Sequence, residues 1–339
     1  METKSRFRRS REDDGRCGYG SSGRSFRGFT LICVLAGGVG AARLLNGLKD
    51  VVSAEEITAI VNTGDDAIMH GLYICPDIDT VTYTLAGVNN IETGWGLKGE
   101  TWLAMESLEK LGGETWFNLG DRDLATHLYR TGRLAEGAGL KEITSEITSA
   151  MGISVNLLPM TEDRIETMVT LLESGDEISF QEYFVKHRHD ISISSVRFNG
   201  SAEAQATSGV VDAIKDAEIV IIAPSNPLVS IAPIFSVPEI SDAVKARKKD
   251  VVAISPIVAG AALKGPADRL LNELGHEASV EGVAKYYQEW ISTLVIDTAD
   301  FDSAENIESL GIDCVVTETV MADSQIAASL GSTLLGLKR

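Results

Sequence analysis

The chain alternates short apolar runs with amphipathic stretches, and the first pair sets the theme. "FTLICVLAG", residues 29–37, is the continuous apolar run expected of a strand buried on both faces. "VGAARLLNGLKD", 39–50, restarts with helical spacing, and "EITAIVN", 56–62, reads as a second strand running into the polar "TGDD". This β-α-β pattern implies a parallel start. It recurs at "AEIVIIAPSNP", at "KDVVAISPIVAG" followed by the helix "PADRLLNEL", at "STLVIDTAD", and at "IDCVVTETVM" followed by "ADSQIAASLG". The pattern predicts an α/β fold, a Rossmann-like, doubly wound and mainly parallel sheet.

The middle reads differently. "TWLAMESLEKLG", "DRDLATHLYRTGRL" and "LKEITSEITSAMG" are successive helical patterns, and "MVTLLESGDEISFQEYFVKH" reads as a strand hairpin. Residues 95–205 are therefore expected to form an inserted, mostly helical capping region on a Rossmann-like domain spanning 29–339. Residues 1–28, rich in Arg, Ser and Gly with almost no aliphatic side chains, read as a disordered basic tail without the apolar core of a signal peptide.

Composition narrows the partners. A net charge of −19 over 339 residues argues against a broad basic surface for nucleic acid or anionic lipid. No apolar run reaches the roughly 18 residues a membrane span needs. Cys17, Cys33, Cys75 and Cys314 stand far apart with no CxxC pair, so neither zinc nor a disulfide framework is expected, and a reducing cytoplasm is the simplest home.

The chemistry collects where predicted strands end. In "AGGVGAAR", Gly38 and Gly40 match the first two places of the dinucleotide fingerprint, but Arg43 stands where the third glycine belongs, which weakens an NAD dehydrogenase reading. No Walker lysine follows either. What remains is a turn, Gly37–Gly38–Val39–Gly40, whose N–H groups and helix N-terminus suit a phosphate, with Arg43 one turn in. "NTGDDAIMHGLYICPDIDT" places Asp65, Asp66, Asp77 and Asp79 after a parallel strand, where hard carboxylate oxygens beside a phosphate suit Mg2+. Asp77 or Asp79 could instead cap the helix that follows. His70, in the same loop, is a candidate contact to a substrate hydroxyl or a packed structural residue. His187 and His189 in "VKHRHD" alternate as on a solvated strand face.

"APSNPLVSIAPI" offers Ser225, Asn226, Pro227 and Ser230 on a proline-stiffened loop at a strand end, and Lys264 precedes a later helix as a second phosphate contact. "GDRDLATH" gathers Asp121, Arg122 and Asp123 at a helix start, more acid than capping needs.

Taken in order, "LAGGVGAARLLNGL", "VNTGDDAIMHGLYICPDIDTVTYTLAG", "GWGLKGETW", "WFNLGDRDLATH", "FQEYFV", "APSNPLVSIAPI" and "SPIVAG" resemble one family, the 2-phospho-L-lactate transferases of coenzyme F-420 biosynthesis (CofD or FbiA). The resemblance implies a Mg2+-dependent transfer of a 2-phospholactate or phosphoenolpyruvate group from a guanosine diphosphate-linked donor. The donor would be lactyl-2-diphospho-5'-guanosine or its enolpyruvyl analogue, the acceptor the ribityl hydroxyl of the deazaflavin Fo, and GMP would leave. By this likeness Gly37, Gly38, Val39, Gly40, Arg43, Ser225, Asn226, Pro227, Ser230 and Lys264 hold the donor. Asp65 carries the catalysis and, with Asp77 or Asp79, the metal; Asp66, His70, Asp121, Arg122 and Asp123 face the acceptor. Trp95, Trp116 or Tyr183 would stack on the deazaflavin ring, and a homodimer is expected. The related YvcK-like gluconeogenesis factors, nucleotide-sugar-binding regulators, share the fold and glycine turn but are not expected to carry "GDRDLATH" or "FQEYFV".

Overall fold

A computed structural model describes residues 31–92 and 94–337; the predicted tail and Cys17 lie outside the described residues. The chain opens with strand β1 (Ile32–Ala36), helix α1 (Gly38–Leu48) and strand β2 (Ile57–Val61). A small hairpin, β3 (Ala67–Met69) and β4 (Leu72–Ile74), leads into α2 (Pro76–Leu85). Three helices follow, α3 (Leu103–Lys110), α4 (Asp123–Ala135) and α5 (Leu140–Ala150), then β5 (Asn156–Pro159). Strands β6 (Glu166–Leu171), β7 (Glu177–Ser179) and β8 (Ile193–Asn199) form a separate antiparallel sheet in the order β7-β6-β8. The second half runs through α6 (Val210–Asp216), β9 (Ile219–Ile222), α7 (Ala232–Phe235), α8 (Pro238–Ala246) and β10 (Val251–Ile254). It continues with β11 (Ile257–Val258), β12 (Ala261–Ala262), α9 (Ala267–Glu273), α10 (Val280–Tyr287), β13 (Thr293–Asp297), α11 (Ala304–Ser309), β14 (Asp313–Thr317) and α12 (Ser324–Leu335).

The main sheet has seven strands in the order β14-β13-β10-β9-β1-β2-β5, and every pair is parallel. Both faces are covered, as an all-parallel sheet requires: Cys33 and Leu35 of β1 point into one core, Ile32, Val34 and Ala36 into the other. From β1 the chain winds outward through β2 and β5 on one side, and from β9 through β10, β13 and β14 on the other. The β1/β9 boundary is therefore the switch point where open α/β sheets leave a crevice beyond the strand C-termini. Among the described residues no single helix is long and apolar enough to cross a membrane.

The stretch 95–205 departs from a mostly helical insert. Its three helices are followed by β5, an edge strand of the main sheet, and then by the antiparallel sheet. The predicted second strand of the hairpin is short: after β7 the backbone closes into a wide helical turn over Glu182–Lys186. His187 and His189 thus lie beyond a helical turn rather than along a strand, with His189 at φ 45° and its ring 5.2 Å from that of Phe184.

Candidate active site

Two loops meet at the switch point. Gly37 caps α1 with extended backbone, Gly38 follows at φ +52°, and the loop after β9 lies against Gly37 and Gly40. A Cβ on Gly37 would come within 2.5 Å of the Ser230 Cβ, and one on Gly40 within 2.2 Å of the Pro224 carbonyl oxygen. The glycines are what let the two loops touch. Ser225 Oγ donates to the Gly37 carbonyl at 2.5 Å, while Asn226 Oδ1 accepts from Leu228 N at 2.9 Å and caps the turn that carries Pro227 and Ser230. The glycine turn and the "SNP" loop form one wall, headed by the N-terminus of an 11-residue helix. Arg43 is exposed one turn into that helix. Lys264, exposed in the loop after β12, sits close enough to Arg43 for the two charges to interact: burial first, and then Arg43, lowers the Lys264 pKa.

The carboxylates stand opposite this wall, at the end of β2 and the start of α2. Asn62 donates through Nδ2 to Asp65 Oδ1 and to Asp77 Oδ2, both at 3.0 Å, one amide nitrogen tying the two acids together. Asp65, Asp66 and Asp77 are all buried. Burial above all, then the charges of Asp77 and Asp66, pushes the Asp65 carboxyl well above the usual range. Burial likewise raises Asp77 to about 6, against the hydrogen bond from Asn62 and the Gly38 N–H turned toward it. The Gly38 N–H is thus directed to Asp77. Both Asp66 oxygens are buried without a hydrogen bond of good geometry, and the nearby Cys75 thiol is only a weak donor.

Asp79, two residues on, has the opposite surroundings. The buried Arg130 guanidinium of α4 embraces it, with Nη2 on Oδ1 and Nη1 3.1 Å from Oδ2. Arg130 Nη1 also donates to the Tyr73 carbonyl at 3.2 Å and lies 3.3 Å from His127 Nδ1. His127 Nε2 lies 3.3 Å from Asp123 Oδ1, which accepts from the Tyr83 hydroxyl at 2.5 Å. Burial alone would raise Asp123, but His127, Tyr83 and Arg130 outweigh it and hold the carboxyl below its ordinary value. Neither Asp77 nor Asp79 caps α2; the N-cap position belongs to Cys75.

"GDRDLATH" and "GWGLKGETW" explain each other. Asp121 accepts from Thr101 Oγ1 at 2.5 Å and from the N–H groups of Leu103 and Ala104 at 3.1 and 3.0 Å, capping α3. Glu100, just before α3, returns the contact by accepting from Arg122 N at 2.8 Å and Asp123 N at 2.9 Å at the start of α4. The Arg122 side chain donates to the Lys98 carbonyl. The Asp121 carboxylate and the Arg122 guanidinium, expected at the acceptor, are thus engaged with the α3 end of the insert, while the Asp123 carboxylate, also expected there, is taken by Tyr83 of α2 and His127. His70 is exposed at the tip of the β3–β4 hairpin, where it and Gly71 supply the two positive φ values, 55° and 78°, of a two-residue turn. Tyr183 is fully buried and cannot stack on a ligand. Trp95 is half exposed, edge-on to Trp102 at 6.1 Å, and Trp116 lies under the Lys186 ammonium at 5.8 Å.

The residues present fit a magnesium ion. Asp65 and Asp77 are hard oxygen donors, crowded, buried and unmatched by an adjacent cation. Among the described residues no three His, Cys, Asp or Glu side chains converge to cage a metal. An ion resting on two carboxylates, with water and substrate phosphate completing its octahedron, is the habit of Mg2+ rather than of zinc. Asn62, Gln181, Glu100 and Arg130 were not singled out from the sequence. Only Asn62, at a strand end beside "TGDD", carried a local signal.

The 2-phospho-L-lactate transferase CofD family model matches residues 32–330. The phosphoenolpyruvate transferase of Streptomyces griseus is 41% identical over 310 residues, covering 90% of this chain and 98% of its own. The 2-phospho-L-lactate transferase of Methanocaldococcus jannaschii is 39% identical, covering 86% and 93%. The phosphoenolpyruvate transferase of Mycolicibacterium smegmatis is 39% identical, covering 88% and 96%. A solved structure, a UPF0052 family protein from Bacillus halodurans, superposes with a TM-score of 0.59 at 17% identity, over 90% of this chain and 98% of that one, a likeness of fold alone.

Proposed function

Because this chain belongs to the CofD family of 2-phospho-L-lactate transferases, we propose that it transfers a 2-phospholactate or phosphoenolpyruvate group from a guanosine diphosphate-linked donor to the ribityl hydroxyl of the deazaflavin Fo, releasing GMP. The activity belongs to coenzyme F-420 biosynthesis. The regulator alternative is not favoured, since relatives aligned over nearly their whole length are named as transferases.

The observation that carries the chemistry is the Asn62-tied pair Asp65 and Asp77 facing the glycine turn across the switch point. The donor diphosphate lies along Gly37–Gly40 and the Ser225–Ser230 loop, receiving the N–H groups of Val39 and Gly40 and the charges of Arg43 and Lys264. Asp65 and Asp77 hold Mg2+, and Asp79, neutralised by Arg130, does not. When bound, the ion neutralises charge on the transferring phosphate. The Fo hydroxyl oxygen forms the new bond to the phosphorus bearing the three-carbon acid, the bridging bond to GMP breaks, and the hydroxyl proton passes to Asp66, whose oxygens have only the weak Cys75 thiol donor beside them. Asp121 and Arg122 act behind the acceptor by fixing α3 against α4, Asp123 by tying α4 to Tyr83 of α2, and Trp95 offers the ring a face. The enzyme works as a homodimer in the cytoplasm.

The test is a mass-spectrometric assay of purified protein with Fo, Mg2+ and each candidate donor in turn. Fo carrying the three-carbon phosphate, formed together with GMP, is expected from at least one donor. No product from either, with the protein folded and Mg2+ present, would reject the assignment.

A further inference from the structure

"FQEYFV" has no role in the function described above, yet it delivers a side chain to the carboxylate site. Gln181, two residues beyond β7 at the start of the wide helical turn, is buried, and its chain neighbours Phe180 and Tyr183 pack into the core. Its Nε2 donates to the Asp65 carbonyl oxygen at 3.0 Å and lies 3.4 Å from Asp65 Oδ2. The same loop is gripped twice more. Thr167 N of β6 donates to the Gly64 carbonyl at 2.6 Å, and Gly64 N donates to Asn62 Oδ1 at 2.8 Å. A Cβ on Gly64 would meet the Pro233 Cβ at 2.7 Å, so the loop packs closely against α7 at a point where a side chain does not fit.

We infer that Gln181 is a positioning residue for Asp65, and that the antiparallel sheet fixes the carboxylate which receives the divalent cation. This rests on the Mg2+ reading given above. Asp65 Oδ1 takes an N–H from Asn62, while Oδ2 faces Gln181, so both oxygens are oriented by primary amides and neither by a cation. The distinction matters chemically. A carboxamide aims a carboxylate while leaving its full negative charge for the metal, whereas Lys or Arg at that place would neutralise it, as Arg130 does for Asp79.

The experiment measures Mn2+ binding by electron paramagnetic resonance on the full chain saturated with GDP. It compares wild type, Gln181→Met, Gln181→Asn and, as a control far from the site, Gln288→Met. The two Gln181 variants are expected to bind Mn2+ about tenfold more weakly, the usual scale for losing an outer partner of a metal ligand. Their melting temperatures should stay near wild type, and the Mg2+ concentration giving half-maximal transfer should rise while the KM for Fo does not. Mn2+ affinity within twofold of wild type in a folded Gln181 variant would overturn the inference, as would equal weakening in Gln288→Met. Loss of the fold in both Gln181 variants would also overturn it, because the residue would then be structural. Wild-type protein that binds no Mn2+ would reject the Mg2+ reading itself, an outcome visible before any variant is compared.

Discussion

Asp77 and Asp79 sit two residues apart in the first turns of one helix, both buried, and the molecule treats them oppositely. Asp79 is embraced by Arg130 within a chain of contacts running through His127 and Asp123 to Tyr83. Asp77 has an amide and a backbone N–H for company and a neighbouring acid, Asp65, tied to the same Asn62. A buried acid with its own cation has its charge spent on the fold. One without stays open to a ligand cation, and until that cation arrives burial disfavours its charged form.

Substitution should separate the two regions. The largest effect on activity is expected at Asp65→Asn, which should cut transfer by about 10²–10³-fold or more, the scale of losing a main electrostatic contribution to the transition state. In metal-free buffer its melting temperature should hold or rise, because a buried unpaired charge has been removed. Asp79→Asn should do the reverse to stability, costing roughly 3–5 kcal/mol by leaving Arg130 buried and uncompensated, measured by denaturant unfolding. If both substitutions lowered stability alike, the contrast between the clusters would collapse.

The glycine wall gives a sharper break. Gly38→Val places a β-branched side chain at φ +52° with its Cβ 3.0 Å from Asp77 Oδ1, so it should disturb the carboxylate as well as the phosphate seat. GDP binding by calorimetry should be lost, while Fo binding, followed by Fo fluorescence, should largely survive.

A pH series gives a smaller effect. The folded-state pKa of Asp77 is raised to about 6, so the folded protein holds that proton longer than the unfolded chain does. Its contribution to stability is complete below the ordinary Asp value near 4 and is lost as pH rises through about 6. Without metal, the stability of wild type relative to Asp77→Asn should therefore decline from pH 4 to pH 7, and Mg2+ with GDP should flatten the decline. The smallest effect is expected at His70→Gly, which keeps the hairpin turn and should leave turnover within about twofold.

The contrast also shows what was legible beforehand. The parallel sheet, the glycine turn and the "SNP" loop could be read because each announces itself locally, through an apolar run, a Gly cluster or a Pro-rich loop at a strand end. The different surroundings of Asp77 and Asp79 could not be read that way, because the partner that distinguishes them, Arg130, lies 51 residues along the chain from Asp79 on another helix. The same distance effect hid the reciprocal caps: Asp121 looks like surplus acid at a helix start until Leu103 and Ala104 are seen to need it. Gln181 was hidden doubly, by 116 residues of separation from Asp65 and by a helical turn where the apolar pattern suggested strand.

The most direct test of the central claim is calorimetric titration of GDP into wild-type protein with and without Mg2+, repeated on Asp65→Asn and with NADH in place of GDP. The expected result is Mg2+-dependent binding of GDP to wild type, loss of that dependence in Asp65→Asn, and no heat with NADH. Tight NADH binding with no response to GDP and Mg2+, or an unchanged Mg2+ dependence in Asp65→Asn, would contradict it.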